Sequence, residues 1–168
     1  MTSPTTVAVP IQPLSADGFT PFGTVIAPTP DGAPFGPGDA VLQLGNGTPR
    51  FYAMTIPGRG FRVAAITRHL AVTQVLASVG GHEWVLVVAP PVDLDDPAAA
   101  PTVEAVAAFV IPGDVAVKLH VGTWHAGPLF EGPDRSFFNL ELADTNVVDH
   151  HTVDLAERHG VTLELVTP

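Results

Sequence analysis

The amino-acid sequence predicts an all-β fold, either a sandwich or a small barrel, formed by one domain over residues 1–168. Its 18 prolines and 16 glycines are spread along the whole chain instead of being collected in a linker. Short apolar or alternating segments lie between them, which is typical of many short strands joined by turns. Hydrophobic residues make up 46% of the chain, enough apolar surface for one core. A barrel of this size encloses a cavity that holds one small ligand.

Eight segments carry the strand pattern. In chain order they are residues 41–44, 51–56, 61–66, 72–78, 83–88, 102–111, 114–119 and 136–142. The first two lie on either side of a turn, Gly45-Asn46-Gly47-Thr48-Pro49. Residues 25–40 are rich in Pro, Gly and Asp and are expected to form a loop or lid. Residues 149–168 are expected to form a C-terminal segment that adds an edge strand or docks on the sheet.

One or two short helices are compatible with this pattern. Ser15 can cap a helix near residues 15–19, because its hydroxyl can accept from a free backbone N–H of the first turn. Residues 98–108 are rich in alanine and place Pro101 at a possible first helical position. That segment is therefore either a strand throughout or a helical turn that runs into a strand before Pro112.

Charge and composition exclude several classes of function. The chain has 7 Lys and Arg against 17 Asp and Glu, a formal net charge of -10, so no nucleic acid or anionic membrane is expected as a partner. It has no cysteine, which excludes disulfides, thiolate metal sites and cysteine nucleophiles. The longest apolar run, residues 84–91, is far shorter than the ~20 residues of a membrane span. Without a signal-like start, a cytoplasmic protein is expected.

The segment that ends at His125 carries the strongest chemical signal. On a strand, Lys118 and His120 project from the same face. Gly122-Thr123-Trp124 then turns the chain before His125. Two histidines across a turn can converge on one point, as a metal site or an acid–base pair requires. The alternative is that both are ordinary half-buried histidines at a strand end.

Two further segments carry candidate site residues. His69 and Gln74 face one cavity if the strand turns between them, and Arg68 suits bidentate capture of a substrate carboxylate. A salt bridge to an acidic residue is the alternative for Arg68. In the strand over residues 136–142, Asn139 and Glu141 share a face and offer a hydrogen-bonding group and a general base. The alternative for that pair is a solvent-facing polar side.

Other motifs are weak or absent. The remaining histidines are expected at the surface: His82, His150, His151 and His159. The sequence has no GxGxxG, P-loop or GxSxG motif, which excludes the common nucleotide-binding and serine-hydrolase sites.

Taken in order, these motifs resemble the ureidoglycolate lyase family of the cupin superfamily. Arg68-His69, with Gln74 five residues later, resembles the family's Arg-His-Pro-Leu-Gly-Ser/Thr-Gln. His120, Trp124-His125 and Pro128-Leu129 resemble its His-x-x-x-Trp-His-x-Pro-Leu. The N-terminal residues 11–26 also resemble the start of the family's sequence, so the likeness covers most of residues 10–142.

The sequence departs from the family pattern at charged positions. Thr67 replaces a glutamate, Leu70 replaces a proline, and Leu142 replaces an arginine that follows the family's aspartate, itself Glu141 here. Ala126-Gly127 also adds one residue before Pro128. Since a fold tolerates such changes better than a site does, the departures concern the substrate more than the architecture.

The resemblance implies a cupin-like double-stranded β-helix and a carbon–nitrogen lyase that releases urea and glyoxylate from ureidoglycolate or a similar small hydroxy acid. It implies catalytic roles for His120, His125 and Glu141, the last as base or as orienter of a histidine. It implies substrate contacts, including one to a small carboxylate, from Arg68, His69, Gln74, Lys118, Trp124 and Asn139. A divalent metal ion is possible, with candidate ligands His69, Gln74, His120 and His125. A homodimer is also implied.

Two other functions stay open. One is a metal-dependent cupin enzyme, an isomerase or dioxygenase that acts on another small acid. The other is a ligand-binding cupin without catalytic turnover.

Overall fold

The computed structural model describes residues 3–167, which form thirteen strands, three short helices and one 3-10 turn. The strands are β1 (Thr5–Pro13), β2 (Gly23–Ile26), β3 (Pro49–Ile56), β4 (Arg62–Val63), β5 (Ala65–Arg68), β6 (Gln74–Ser78), β7 (Trp84–Ala89), β8 (Ala107–Ile111), β9 (Ala116–Leu119), β10 (Trp124–Leu129), β11 (Arg135–Leu142), β12 (His151–Asp154) and β13 (Val161–Val166). The helices are α1 (Ala16–Phe19), α2 (Thr145–Val148) and α3 (Leu155–His159), and the 3-10 turn spans Val103–Ala105.

Two sheets carry the fold. The eight-stranded sheet has the order β12-β5-β10-β7-β8-β1-β13-β4, and the five-stranded sheet has the order β2-β9-β6-β11-β3. Both sheets curl, and together they form a half-barrel, so the prediction of an all-β, cupin-like fold is confirmed. Within residues 3–167 no helix is long and apolar enough to cross a membrane.

Strand β7 is buried on both of its faces. Leu86 and Val88 belong to the apolar cluster between the two sheets, which also contains Phe137 of the opposite sheet. Val85 and Val87 belong to a second cluster on the other side of the eight-stranded sheet. Because full burial of such a side chain contributes roughly 1.5–3 kcal/mol, this strand is a main source of stability.

Both helical expectations are confirmed in outline. Ser15 caps α1, since its hydroxyl accepts a hydrogen bond of 3.1 Å from the backbone N–H of Gly18. Phe19, the last residue of α1, is fully buried. In the alanine-rich segment the helical turn followed by a strand is the correct alternative, with one 3-10 turn before β8, but Pro101 is not its first residue, since the turn begins at Val103 after Thr102.

The expected strand over residues 41–44 is wrong. Its segment is docked by two bonds, from the Gln43 N–H to the Thr73 hydroxyl (2.9 Å) and from the Thr73 N–H to the Gln43 carbonyl (3.3 Å). An isolated pair of bonds holds the loop against the start of β6 without forming a ladder. At the C-terminal end, β12 is an edge strand as expected, whereas β13 lies inside the sheet between β1 and β4.

Candidate functional site

A polar cavity lies where the two sheets face each other. It has a volume of about 160 Å3 and adjoins a basin of about 330 Å3. We call them the inner cavity and the outer basin. The inner cavity is lined by side chains from both sheets and their loops: Tyr52, Met54, Ile56, Arg59, His69, Gln74, Leu76, His125, Gly127, Pro128, Asn139, Asn146 and His150. The two spaces share Arg59, His125, Gly127 and His150.

His125 reaches the cavity because of its position in β10. It pairs with Val88 of β7, and paired residues project from the same face, which here points toward the five-stranded sheet. The tight turn before it requires Gly122, which has φ +81°, and a Cβ there would lie 2.2 Å from Leu94 Cδ2. The His125 Nδ1 lies 3.2 Å from the Thr123 carbonyl. Burial, and secondarily the nearby His69, lower the pKa of His125 to about 3.

His69 is fixed from the opposite side by the segment that follows α2. Its Nδ1 lies 2.6 Å from the carbonyl oxygen of Asp149. The carboxylate of Asp149 accepts from the backbone N–H groups of Leu70 and Ala71, at 2.7 and 2.8 Å, which orders the turn after β5. Burial is the main cause that lowers the pKa of His69.

The two imidazoles form a neutral pair with defined tautomers. Their ring centroids lie 5.1 Å apart. A carbonyl oxygen only accepts, so Nδ1 of each ring carries the proton and Nε2 carries a lone pair. Each Nε2 is therefore able to accept a proton from a ligand or to bind a metal ion.

A buried carboxylate lies beneath the polar wall of the cavity. Glu141 accepts four hydrogen bonds of 2.9 to 3.2 Å, from Tyr52 Oη, Gln74 Nε2, Asn139 Nδ2 and Asn146 Nδ2. An ionised carboxylate is an acceptor only, so four donors suit the charged form. Burial of the Tyr52 side chain raises its pKa, and the nearby charge of Glu141 raises it further.

Gln74 presents an unused acceptor. Its Nε2 donates to Asn139 Oδ1 and to Glu141 Oε2, both at 3.2 Å, which fixes the orientation of the amide. The opposite atom, Oε1, is buried and has no partner among residues 3–167. Since an unsatisfied buried acceptor is costly, this oxygen is suited to an N–H donor of a ligand or to a cation.

Three of the four candidate metal ligands meet at this cavity. Imidazole nitrogens of His69 and His125, with the amide oxygen of Gln74, are a donor set that a divalent metal accepts. His120 lies elsewhere. Within the described part of the chain, no group of three or more His, Asp or Glu residues is arranged to hold a metal ion.

The structure places Lys118 and His120 on the far face of the five-stranded sheet. Leu119 pairs with Gln74 and Lys118 pairs with Val75, so Lys118 projects away from the cavity. His120 shares that side, and both of its ring nitrogens are engaged, Nδ1 with Lys118 Nζ and Nε2 with the Thr20 carbonyl, each at 3.0 Å. Neither residue is available to a ligand in the inner cavity.

Arg68 and Trp124 alternate with the site residues and point to the other side of the eight-stranded sheet. The Arg68 guanidinium is fully buried and donates to the carbonyls of Val92 and Asp96, both at 2.7 Å. It also lies 4.8 Å from the centroid of the Trp124 ring. Arg68 therefore organises the loop over residues 92–96 instead of meeting a carboxylate ligand.

Several residues that line the cavity are not identified by any motif in the sequence. Tyr52, Arg59 and Asn146 lie in segments whose pattern offers no chemical motif. His150 is exposed as expected, yet its ring centroid lies 5.7 Å from that of His69, at the rim of both spaces. The alternation of β3, which places Tyr52 on the same face as Met54 and Ile56, is the one available signal.

Comparison with known proteins adds one finding. A family model described as ureidoglycolate lyase matches residues 34–159. The matched span contains the residues around the inner cavity, from β3 to α3. No curated protein matches the chain.

Proposed function

Because the chain belongs to the ureidoglycolate lyase family, a family of lyase-type enzymes, we propose that it cleaves ureidoglycolate to glyoxylate and urea in the inner cavity. The observation that carries this proposal is the neutral pair of His69 and His125, with both Nε2 lone pairs available. The hydrogen-bonded side-chain amides of Gln74 and Asn139, which we call the amide wall, line the same cavity.

The proposed reaction needs only proton transfers. Ureidoglycolate carries a hydroxyl and a ureido nitrogen on one carbon. When the hydroxyl loses its proton, its oxygen forms the C=O bond of glyoxylate, and the C–N bond breaks with its electron pair on nitrogen. That nitrogen takes up one proton and leaves as urea. The protein must therefore supply a base and an acid close to one carbon.

His125 is positioned for both proton transfers, although its lowered pKa makes the neutral ring a weak base. Its Nε2 accepts the hydroxyl proton, and its Nδ1–H remains bonded to the Thr123 carbonyl, which holds the ring in place. A lowered pKa makes the resulting imidazolium a strong acid, so it readily returns the proton to the departing nitrogen. Burial disfavours the positive charge on this ring and so promotes that return.

The amide wall binds the ureido group. Gln74 Oε1, buried and without a partner in the described chain, accepts a ureido N–H. Glu141 acts as a positioning residue, because its two oxygens already accept from Gln74, Asn139, Tyr52 and Asn146. It holds the Gln74 and Asn139 amides in the orientation that a ureido group needs.

Product analysis tests the proposal. Purified protein is incubated with racemic ureidoglycolate, and glyoxylate, urea and ammonia are quantified with and without a chelator. Glyoxylate and urea in equal amounts, without ammonia and in both arms, is the expected result. Release of ammonia would indicate a hydrolase, loss of release in the chelator arm would indicate a metal-dependent enzyme, and no release by folded protein would overturn the proposal.

We further propose that the protein forms a homodimer through β3. This eight-residue strand is the longer of the two edge strands of the five-stranded sheet, so its outer backbone groups can pair with a second copy about a twofold axis. Phe51 on this edge is 67% exposed and stacks on Phe138, with centroids 5.3 Å apart. A second copy would cover this exposed aromatic pair.

Light scattering coupled to size exclusion tests the dimer. The wild type is expected at twice the chain mass, and Phe51→Asp at the monomer mass. Val166→Asp, an exposed valine of the other sheet, is the matched control and is expected to stay dimeric. A monomeric wild type, or a dimer that Phe51→Asp leaves intact, would overturn the assignment.

A further inference from the structure

Arginine supplies the charged side chains that line the inner cavity and the outer basin of this strongly acidic protein, while the Glu141 carboxylate lies behind the cavity wall. None of the 17 acidic residues lines either space, although the chain carries a formal net charge of -10. Two of the 7 basic residues do, Arg59 in both spaces and Arg62 in the outer basin. Two guanidinium groups in a lining without acidic side chains favour a small anion there over the rest of this acidic surface.

The other five basic side chains are engaged elsewhere. Each has a contact within the fold: Arg50 with the Tyr52 ring, Arg68 with the Val92 carbonyl, Lys118 with His120, Arg135 with the Glu83 carbonyl and Arg158 with the Ala98 carbonyl. Arg59, by contrast, has no hydrogen bond or ion pair from its side chain to residues 3–167. Its guanidinium is free to meet a ligand.

The loop that contains Arg59 packs closely against the connection between β10 and β11. Gly58 packs on the backbone of Gly132, where a Cβ would lie 2.4 Å from the carbonyl oxygen. Gly60 adopts φ +66° and donates from its N–H to the Phe130 carbonyl at 3.0 Å. Two anchored glycines therefore hold Arg59 against the connection between β10 and β11, at the border of both spaces.

Arg62 is expected to have a weaker effect on a bound anion than Arg59. It lies in β4 opposite Glu164 of β13, and residues in such a pair project from the same face. The two charges are not within salt-bridge distance, yet Glu164 offsets part of the field of Arg62. Arg62 borders the outer basin but not the inner cavity. It is therefore expected to attract an anion from a distance without contacting it in the inner cavity.

We propose that Arg59, assisted by Arg62, binds the carboxylate of the substrate and so fixes which end enters the cavity. This inference rests on the proposed function for the identity of the substrate. A guanidinium binds a carboxylate with two parallel N–H donors, which sets orientation as well as affinity. With the carboxylate at Arg59, the neighbouring carbon lies toward His125, which borders the same two spaces, and the ureido group extends toward Gln74.

Calorimetric binding of two small probes tests the inference without requiring turnover. Glycolate carries a carboxylate, and glycolamide has nearly the same shape without the charge. The wild type is expected to bind glycolate at least about tenfold more tightly than glycolamide, since charged hydrogen bonds contribute about twice as much as neutral ones. The advantage is expected to shrink at high salt because Arg59 is exposed.

Three variants separate the roles of the arginines. Arg59→Gln is expected to weaken glycolate binding about tenfold and to leave glycolamide unchanged, while Arg62→Gln weakens it about two- to threefold. Arg158→Gln, an exposed arginine away from both spaces, is the matched control and is expected to behave as the wild type. Equal binding of the two probes, no binding of either, or glycolate binding that Arg59→Gln leaves unchanged would overturn the inference.

Turnover of ureidoglycolate supplies an independent arm. For an active wild type, Arg59→Gln is expected to raise KM about tenfold with a smaller change in kcat. If the variants alter glycolate binding as expected but no glyoxylate is released, the carboxylate site stands and the proposed reaction fails. If glyoxylate is released and Arg59→Gln leaves KM unchanged, the reaction stands and the carboxylate site fails.

Discussion

The imidazole rings of His69 and His125 lie 5.1 Å apart, tilted by 56°, and each turns its Nδ1 toward a backbone carbonyl. The carbonyls belong to Asp149 and Thr123, so two separate parts of the chain fix the two tautomers. Burial keeps both rings neutral, and the Nε2 lone pairs are available to a ligand in the inner cavity.

The first prediction is that acid destabilises the protein through His125. Its pKa is about 3 in the folded state against 6.5 for an unperturbed histidine, so the unfolded chain binds more protons between these values. The free energy of unfolding therefore rises with pH across this window and levels off above it. His69, whose pKa is also lowered, adds an effect of the same sign.

Urea unfolding at pH 5 and at pH 6.5 measures this effect. Over that interval the wild type is expected to gain up to about 2 kcal/mol from His125 alone, at about 1.4 kcal/mol per pKa unit. His125→Asn is expected to gain less by that amount, whatever its absolute stability. Equal pH dependence in both proteins would contradict the burial of a neutral His125.

The second prediction concerns Glu141. Glu141→Gln replaces one acceptor oxygen by an NH2 group that then faces two donors, so the network loses two hydrogen bonds and its charge. A loss of about 2–4 kcal/mol in the free energy of unfolding is expected, together with a lower kcat. Glu104→Gln, at an exposed position, is the control for loss of charge. A Glu141→Gln protein as stable as this control would show that the network is not a stabilising one.

The third prediction separates a structural role of Arg68 from a role in binding. Lysine keeps the charge but cannot donate in a fork to the Val92 and Asp96 carbonyls. Arg68→Lys is expected to lower the free energy of unfolding by about 1–3 kcal/mol and to leave the KM for ureidoglycolate unchanged. A raised KM without loss of stability would show that Arg68 binds substrate and contradict the structural role.

Part of this site is readable from sequence. Asn139 and Glu141 share a face because strands alternate. For His69 and Gln74 the sequence offers only a condition, that the chain turns between them, and the break between β5 and β6 meets it. Alternation also groups Lys118 with His120, but it does not tell which face of β9 points to the cavity. Register settles that question, because Gln74 pairs with Leu119 and not with Lys118.

The remaining features depend on contacts between distant segments. Arg59 reaches the cavity only because Gly58 meets Gly132, and His69 is oriented only by the carbonyl of Asp149. No local pattern reports such contacts. Strand β1 also depends on distant contacts. Its prolines disfavour a strand in the local sequence, yet it pairs in parallel with both β8 and β13.

Glyoxylate release from ureidoglycolate by wild type and His125→Asn is the measurement that tests the central claim most directly. Both proteins are first shown to be folded, and His82→Ala, at an exposed histidine, serves as the matched control. Wild type and control are expected to release glyoxylate at equal rates, and His125→Asn is expected to lose at least about a hundredfold in kcat. Folded His125→Asn that releases glyoxylate at the wild-type rate would contradict that claim.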